Sequence, residues 1–186
     1  MLGKYKHESY KLKFIMLGLC LWIVGGLLVW IITNGDDSAS TSQGPSKLGM
    51  SLVSIPVLNI FLNNSLYLIS IYTLGTFSFG IFTITSFVYN GLVVGLYVKK
   101  AIAMGFSTQQ VAGLLALHGP IEILAFLLGG AYTFANIDCL LRILKGNFDW
   151  KQLTNKLVED RIALLLPFVL LAIAAPIEYL AYAINQ

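Results

Sequence analysis

The sequence predicts an all-α fold: a polytopic transmembrane helical bundle of about five spans, with broken or kinked helices in its C-terminal half. Three observations carry this expectation. Of 186 residues, 57% are hydrophobic and only 11% charged, and the mean hydropathy is +0.78, which leaves too little charge to cover a water-soluble globule. The apolar residues are gathered into runs that approach or exceed the roughly 20 residues needed to cross hydrocarbon. Polar, glycine- and lysine-rich stretches separate those runs. The whole chain, 1–186, reads as one integral membrane domain in a lipid bilayer.

The first span, about 14–32, is uncharged and follows Lys4, Lys6, Lys11 and Lys13. It is too long for the core of a cleaved signal, which is typically about 7–15 residues, and no small-residue cleavage site follows it. It reads as an uncleaved signal anchor. Cys20 and Cys139 lie far apart in sequence and give no disulfide framework. Residues 33–55, rich in Ser, Thr, Gly and Asp and without periodicity, read as an exposed loop. From Ile55 to Val98 there are 44 residues without charge, roughly 66 Å of helix, which no single span absorbs. Two spans are therefore expected, about 58–79 and 81–98, with Asn63 and Asn64 marking the start of the first and Gly75 to Gly80 supplying the turn between them. A fourth span covers about 111–134 and a fifth about 162–184. The connection 136–161 carries an amphipathic pattern suited to the membrane face, with Leu140, Leu141, Ile143, Leu144 and Phe148 apolar beside Arg142, Lys145 and Lys151.

Lysine and arginine near span ends set orientation. With five spans, four basic residues before the first and five between the fourth and fifth fall on one side, nine of the twelve in the chain. The N-terminus and the 136–161 loop are thus expected in the cytoplasm and the C-terminus outside, in a multi-pass cell-membrane protein. Lys99 and Lys100 dissent, since this topology places them outside. The net charge of +3 reflects topology and attraction to anionic lipid and gives no reason to expect nucleic acid.

Polar residues inside apolar runs are costly and usually have a partner or a purpose. The fourth span carries His118-Gly119-Pro120-Ile121-Glu122, which places His118 and Glu122 on one helix face. Pro120 lacks an N–H and is expected to free a carbonyl near Ala116 and kink the helix. Pro120-Ile121-Glu122-Ile123-Leu124-Ala125-Phe126 is echoed in the fifth span by Pro176-Ile177-Glu178-Tyr179-Leu180-Ala181-Tyr182. If these two spans run in opposite directions, the Pro-Glu elements meet near mid-membrane with inverted polarity, an arrangement found at transport sites. Asn90-Gly91 and Gly95 interrupt the third span. Glycines at this spacing permit close helix approach, and Asn90 is expected to offer its amide to the His118 and Glu122 face. His118, Glu122, Glu178 and Asn90 thus form the expected intramembrane polar site, readable either as a hydrogen-bonded clamp or as a proton or ion relay. No metal site is expected, because His118 is the only histidine outside the N-terminal tail and no cysteine is near it in sequence.

These residues resemble the stage II sporulation protein M family. The resemblance rests on Asn90-Gly91 with Gly95, on His118-Gly119-Pro120-Ile121-Glu122 with Ala125 and Gly129-Gly130 after it, and on Ala174-Ala175-Pro176-Ile177-Glu178. It covers about residue 60 to the end. The family pattern has proline before the His-Gly pair, where this chain has Leu117. The resemblance implies a membrane scaffold or assembly subunit that recruits or holds partner proteins, which in sporulating relatives are cell-wall hydrolases. The alternative is a transporter or channel component, acting as a permease beside a separate ATPase, since no Walker motif occurs in this chain. No nucleophile and base are arranged for hydrolysis, so no enzyme and no cofactor are expected. Spans with close-packing glycines and apolar outer faces also allow a homo-oligomer.

Overall fold

In the computed structural model, residues 2–32, 57–146, 151, 155 and 160–184 are described. The expected loop 33–55 and much of the 136–161 connection lie outside them. Five long helices are present among the described residues: α1 (Leu2–Ile32), α2 (Val57–Phe77), α3 (Ile81–Ala103), α4 (Thr108–Leu144) and α5 (Arg161–Ile184). Four contain stretches long and apolar enough to cross a bilayer, and α5 contributes a shorter apolar stretch, Leu164–Leu180. The fold is all-helical and consistent with five spans.

Residue pairs in contact give the helix directions. Along α1 and α3 the numbers rise together: Gly91 lies against Trp22 and Gly26, and Gly95 against Gly26 and Val29, so these helices are parallel. Between α2 and α3 they run oppositely, with Tyr67 bonded to Asn90 and Gly75 beside Thr83. Helix α4 parallels α2, as the pairs Asn64 with Glu122 and Ile71 with Thr133 show. Helix α5 opposes both, because Leu171 packs with Leu68 and Ala125 while Tyr72 reaches the Leu164 carbonyl. Each helix therefore reverses the direction of the one before it, as successive membrane crossings require.

Without a hydrophobic force between helices in lipid, close packing of small residues carries association. The α1–α3 seam is the clearest case. A side chain on Gly91 would run into the Trp22 carbonyl, and one on Gly25 into the Val88 carbonyl, so backbone meets backbone. At the α2–α3–α4 crossing, Gly75, Thr83, Gly130 and Thr133 interlock, and Thr133, wholly buried, donates across helices to the Ile71 carbonyl at 3.0 Å. The turn from α2 to α3 is Ser78-Phe79-Gly80; Phe79 (φ 53°) and Gly80 (φ 89°) adopt left-handed geometry, and the Gly80 N–H donates to the Gly75 carbonyl at 2.8 Å. This is a helix stop of the left-handed capping kind.

Several expected boundaries move. Helix α1 begins before its lysines, because a helix continues into water as readily as it starts at the interface. Helix α2 ends two residues before the expected limit, and α3 continues through Lys99 and Lys100 to Ala103. Asn63 and Asn64 lie inside α2 rather than at its start, since asparagine costs a helix interior only tenths of a kcal/mol, roughly 0.7 at most. Helix α4 starts on a Ser107–Gln110 capping box. It runs ten residues past the expected end, absorbing residues 136–144 of the supposed connection. It is unbroken through Pro120, and α5 is unbroken through Pro167 and Pro176. Both helices thus carry their prolines without interruption, as neighbouring helices allow by holding a proline-containing turn in place.

Candidate functional site

His118 and Glu122 stand one turn apart on α4, and α5 brings Glu178 to them from the opposite direction. The ligand-capable atoms of the three side chains all lie within 4.8 Å of one another. His118 is buried and the two glutamates half-buried, and the glutamate carboxyls hydrogen-bond each other. The echo of Pro-Ile-Glu between the fourth and fifth spans thus corresponds to a real juxtaposition. Pro120 and Pro176 are exposed on the outer faces of their helices while the glutamates two residues later are partly enclosed, as a 100° turn per residue dictates.

Asn64 on α2 completes the group, its Nδ2 donating to Glu122 Oε1 at 2.7 Å. Asn90 does not take that part. Its Nδ2 donates to the Tyr67 hydroxyl at 2.9 Å, and that hydroxyl donates to the Ser86 carbonyl at 3.0 Å. The polar interior is therefore organised by α2, which serves α4 through Asn64 and α3 through Tyr67 one turn deeper. Asn64 and Tyr67 are the residues the sequence reading missed; the signal was an asparagine inside 44 uncharged residues, with a tyrosine three positions on.

The cluster also lies off-centre. Asn64 is seven residues into the 21-residue α2, about 10 Å from its start, and Glu178 is six residues before the end of α5, about 9 Å. The site therefore lies roughly one third of the way along α2 from its start and one quarter of the way along α5 from its end. Of the remaining residues singled out in sequence, Gly91 and Gly95 are close-packing positions with α1 as partner. Gly119 is not: a side-chain carbon there would meet nothing within 4 Å.

The family model described as stage II sporulation protein M matches residues 16–180. The chain belongs to the stage II sporulation protein M family. The match includes α1 from residue 16 onward and all of α2, well beyond the region from residue 60 onward in which the resemblance was legible. No curated protein and no solved structure matches the chain. Within the stage II sporulation protein M region fall the α1–α3 glycine seam, the Asn64–Glu122 bond and, two residues inside its limit, Glu178. The family assignment thus spans both the packing that closes the bundle and the polar group enclosed by it.

Proposed function

We propose that this stage II sporulation protein M family member is a membrane assembly subunit that holds a protein partner where α1 and α4 overrun the bilayer. The observation that carries the reading is the length of α4. Its 37 residues make roughly 55 Å of helix against a hydrocarbon core of about 30 Å. Phe14 and Phe134 stack face to face, centroids 4.3 Å apart, and α4 continues ten residues past that pair. The extension is held by an Asp138–Arg142 ion pair at 3.0 Å, carries Arg142 and, just past its end, Lys145, and exposes Leu141 and Leu144. A basic helix end bearing exposed leucines at the membrane face offers such a partner both charge and apolar surface.

The positive-inside bias assigns this end to the cytoplasm, so the partner sought here is a cytoplasmic or peripheral protein. A cell-wall hydrolase would be met at the opposite end, near Lys99 and Lys100. A photo-crosslinking residue at Leu144 tests the reading. It is expected to yield a discrete protein adduct in native membranes, reduced by Arg142→Glu with Lys145→Glu, while the same probe at exposed Ile173 on α5 yields none. Equal labelling at both positions sinks it.

Transport or channel activity is the second reading, favoured by His118, Glu122 and Glu178 meeting inside apolar spans. The two part on Glu122→Gln. An assembly subunit keeps its partner when Glu122 becomes Gln, whereas a transporter loses flux in liposomes with its fold intact.

A further inference from the structure

We propose that His118, Glu122 and Glu178 form a binding site for one first-row divalent transition-metal ion of the zinc, manganese or iron kind, with Asn64 orienting Glu122. Two carboxyl groups from different helices, turned toward each other in a protein interior, are unfavourable unless a cation or a shared proton offsets them. The donor set selects among cations. Imidazole with carboxylate suits zinc, manganese and iron, whereas magnesium and calcium prefer oxygen alone and copper(I) prefers sulfur. The geometry is close to what an ion needs. Donors on a tetrahedral ion at about 2.0–2.2 Å stand roughly 3.4 Å apart, so side chains whose ligand atoms all lie within 4.8 Å of one another close on an ion by rotamer adjustments of about 1 Å.

The Asn64 bond to Glu122 Oε1 is the outer contact that such sites use to fix a ligand carboxylate. An ion entering the site would take the place of the proton shared between the Glu122 and Glu178 carboxyls, with the Asn64 bond to Oε1 retained. Three protein donors leave a further position for water, as in sites that exchange their metal. The sequence alone argues against a metal, since His118 is the only histidine outside the N-terminal tail and no cysteine is near it in sequence. The third donor arrives from 56 residues away through the antiparallel pairing of α4 and α5. An ion bound there would tie α4 to α5 directly and to α2 through Asn64.

The test uses the full chain, freed of any histidine tag, in detergent micelles or nanodiscs. It is stripped with chelator, incubated with zinc, manganese, cobalt(II) or magnesium chloride, and passed over a desalting column. About one equivalent of zinc or cobalt should be retained per chain and no magnesium, with the visible absorption of cobalt in a low-symmetry protein site. His118→Ala, Glu122→Gln and Glu178→Gln should each abolish retention, and Asn64→Leu should weaken affinity by about 10–100-fold. His7→Asn and Asp138→Asn should bind as the parent does. Failure of the parent chain to retain any of the transition ions, or loss of retention in His7→Asn alone, overturns the proposal. The cobalt spectrum of the parent decides the matter even where a variant fails to assemble. Neither result bears on the partner-holding end of α4, which lies at the opposite face.

Discussion

Single residues separate the packing glycines from the merely present ones. Gly91 faces the Trp22 carbonyl, and backbone cannot step aside as a side chain can. Gly91→Val is therefore expected to cost at least the 1–3 kcal/mol, roughly, of an overpacked core, seen as a lower unfolding midpoint in detergent. Gly119→Ala should do the reverse, gaining about 0.5–1 kcal/mol of helix propensity, because nothing lies within 4 Å of the added carbon. A result in which both changes destabilise equally would refute the assignment. Thr133 gives a finer measure, since its hydroxyl bonds both Ile71 and its own helix's Gly129 carbonyl. Thr133→Val, nearly isosteric, is expected to cost about 0.6 kcal/mol and no more than about 1.7. His118, Glu122 and Glu178 were legible in sequence because ionisable groups stand out against apolar runs. Asn64 and Tyr67 were not, because asparagine and tyrosine are equally at home at a membrane interface, and only the third dimension says which asparagine meets Glu122.

At the level of elements, the spans were legible and their ends were not. Hydropathy reports where lipid must lie, but a helix stops where capping or geometry stops it. Thus α4 begins at the Ser107 capping box and runs ten residues past the expected end of its span, while α2 stops where Phe79 and Gly80 turn left-handed. The α4 helix runs on through Pro120, which lies exposed on its outer face. Pro120→Ala should therefore leave assembly and helical content unchanged and raise the unfolding midpoint slightly, by restoring a donor to the turn below. A large loss of stability or of metal retention on that change would mean that the proline shapes the cluster after all.

For the whole molecule, the alternation of five helix directions fixes relative sidedness. Phe14 against Phe134 puts the start of α1 and the end of α4 together, and α3, parallel to α1, delivers Lys99 and Lys100 to the other end. The dissent of those lysines is thus real: they oppose the main basic group, as the count of five spans required. The alternative with a re-entrant pair would bring Lys99 and Lys100 inside while exporting the 142–161 segment. It conflicts with α2 and α3 each being 21 and 23 residues long and antiparallel over that length. Single cysteines in a Cys20→Ala, Cys139→Ala background turn this into a measurement. In intact cells, a membrane-impermeant maleimide should label Lys100→Cys at once and Lys145→Cys only after permeabilisation. Labelling of both from outside, or of neither, would break the five-span topology. Exchange of the two patterns would keep the five spans and invert the orientation, moving the overrunning end of α4 out of the cytoplasm and with it the class of partner to be sought.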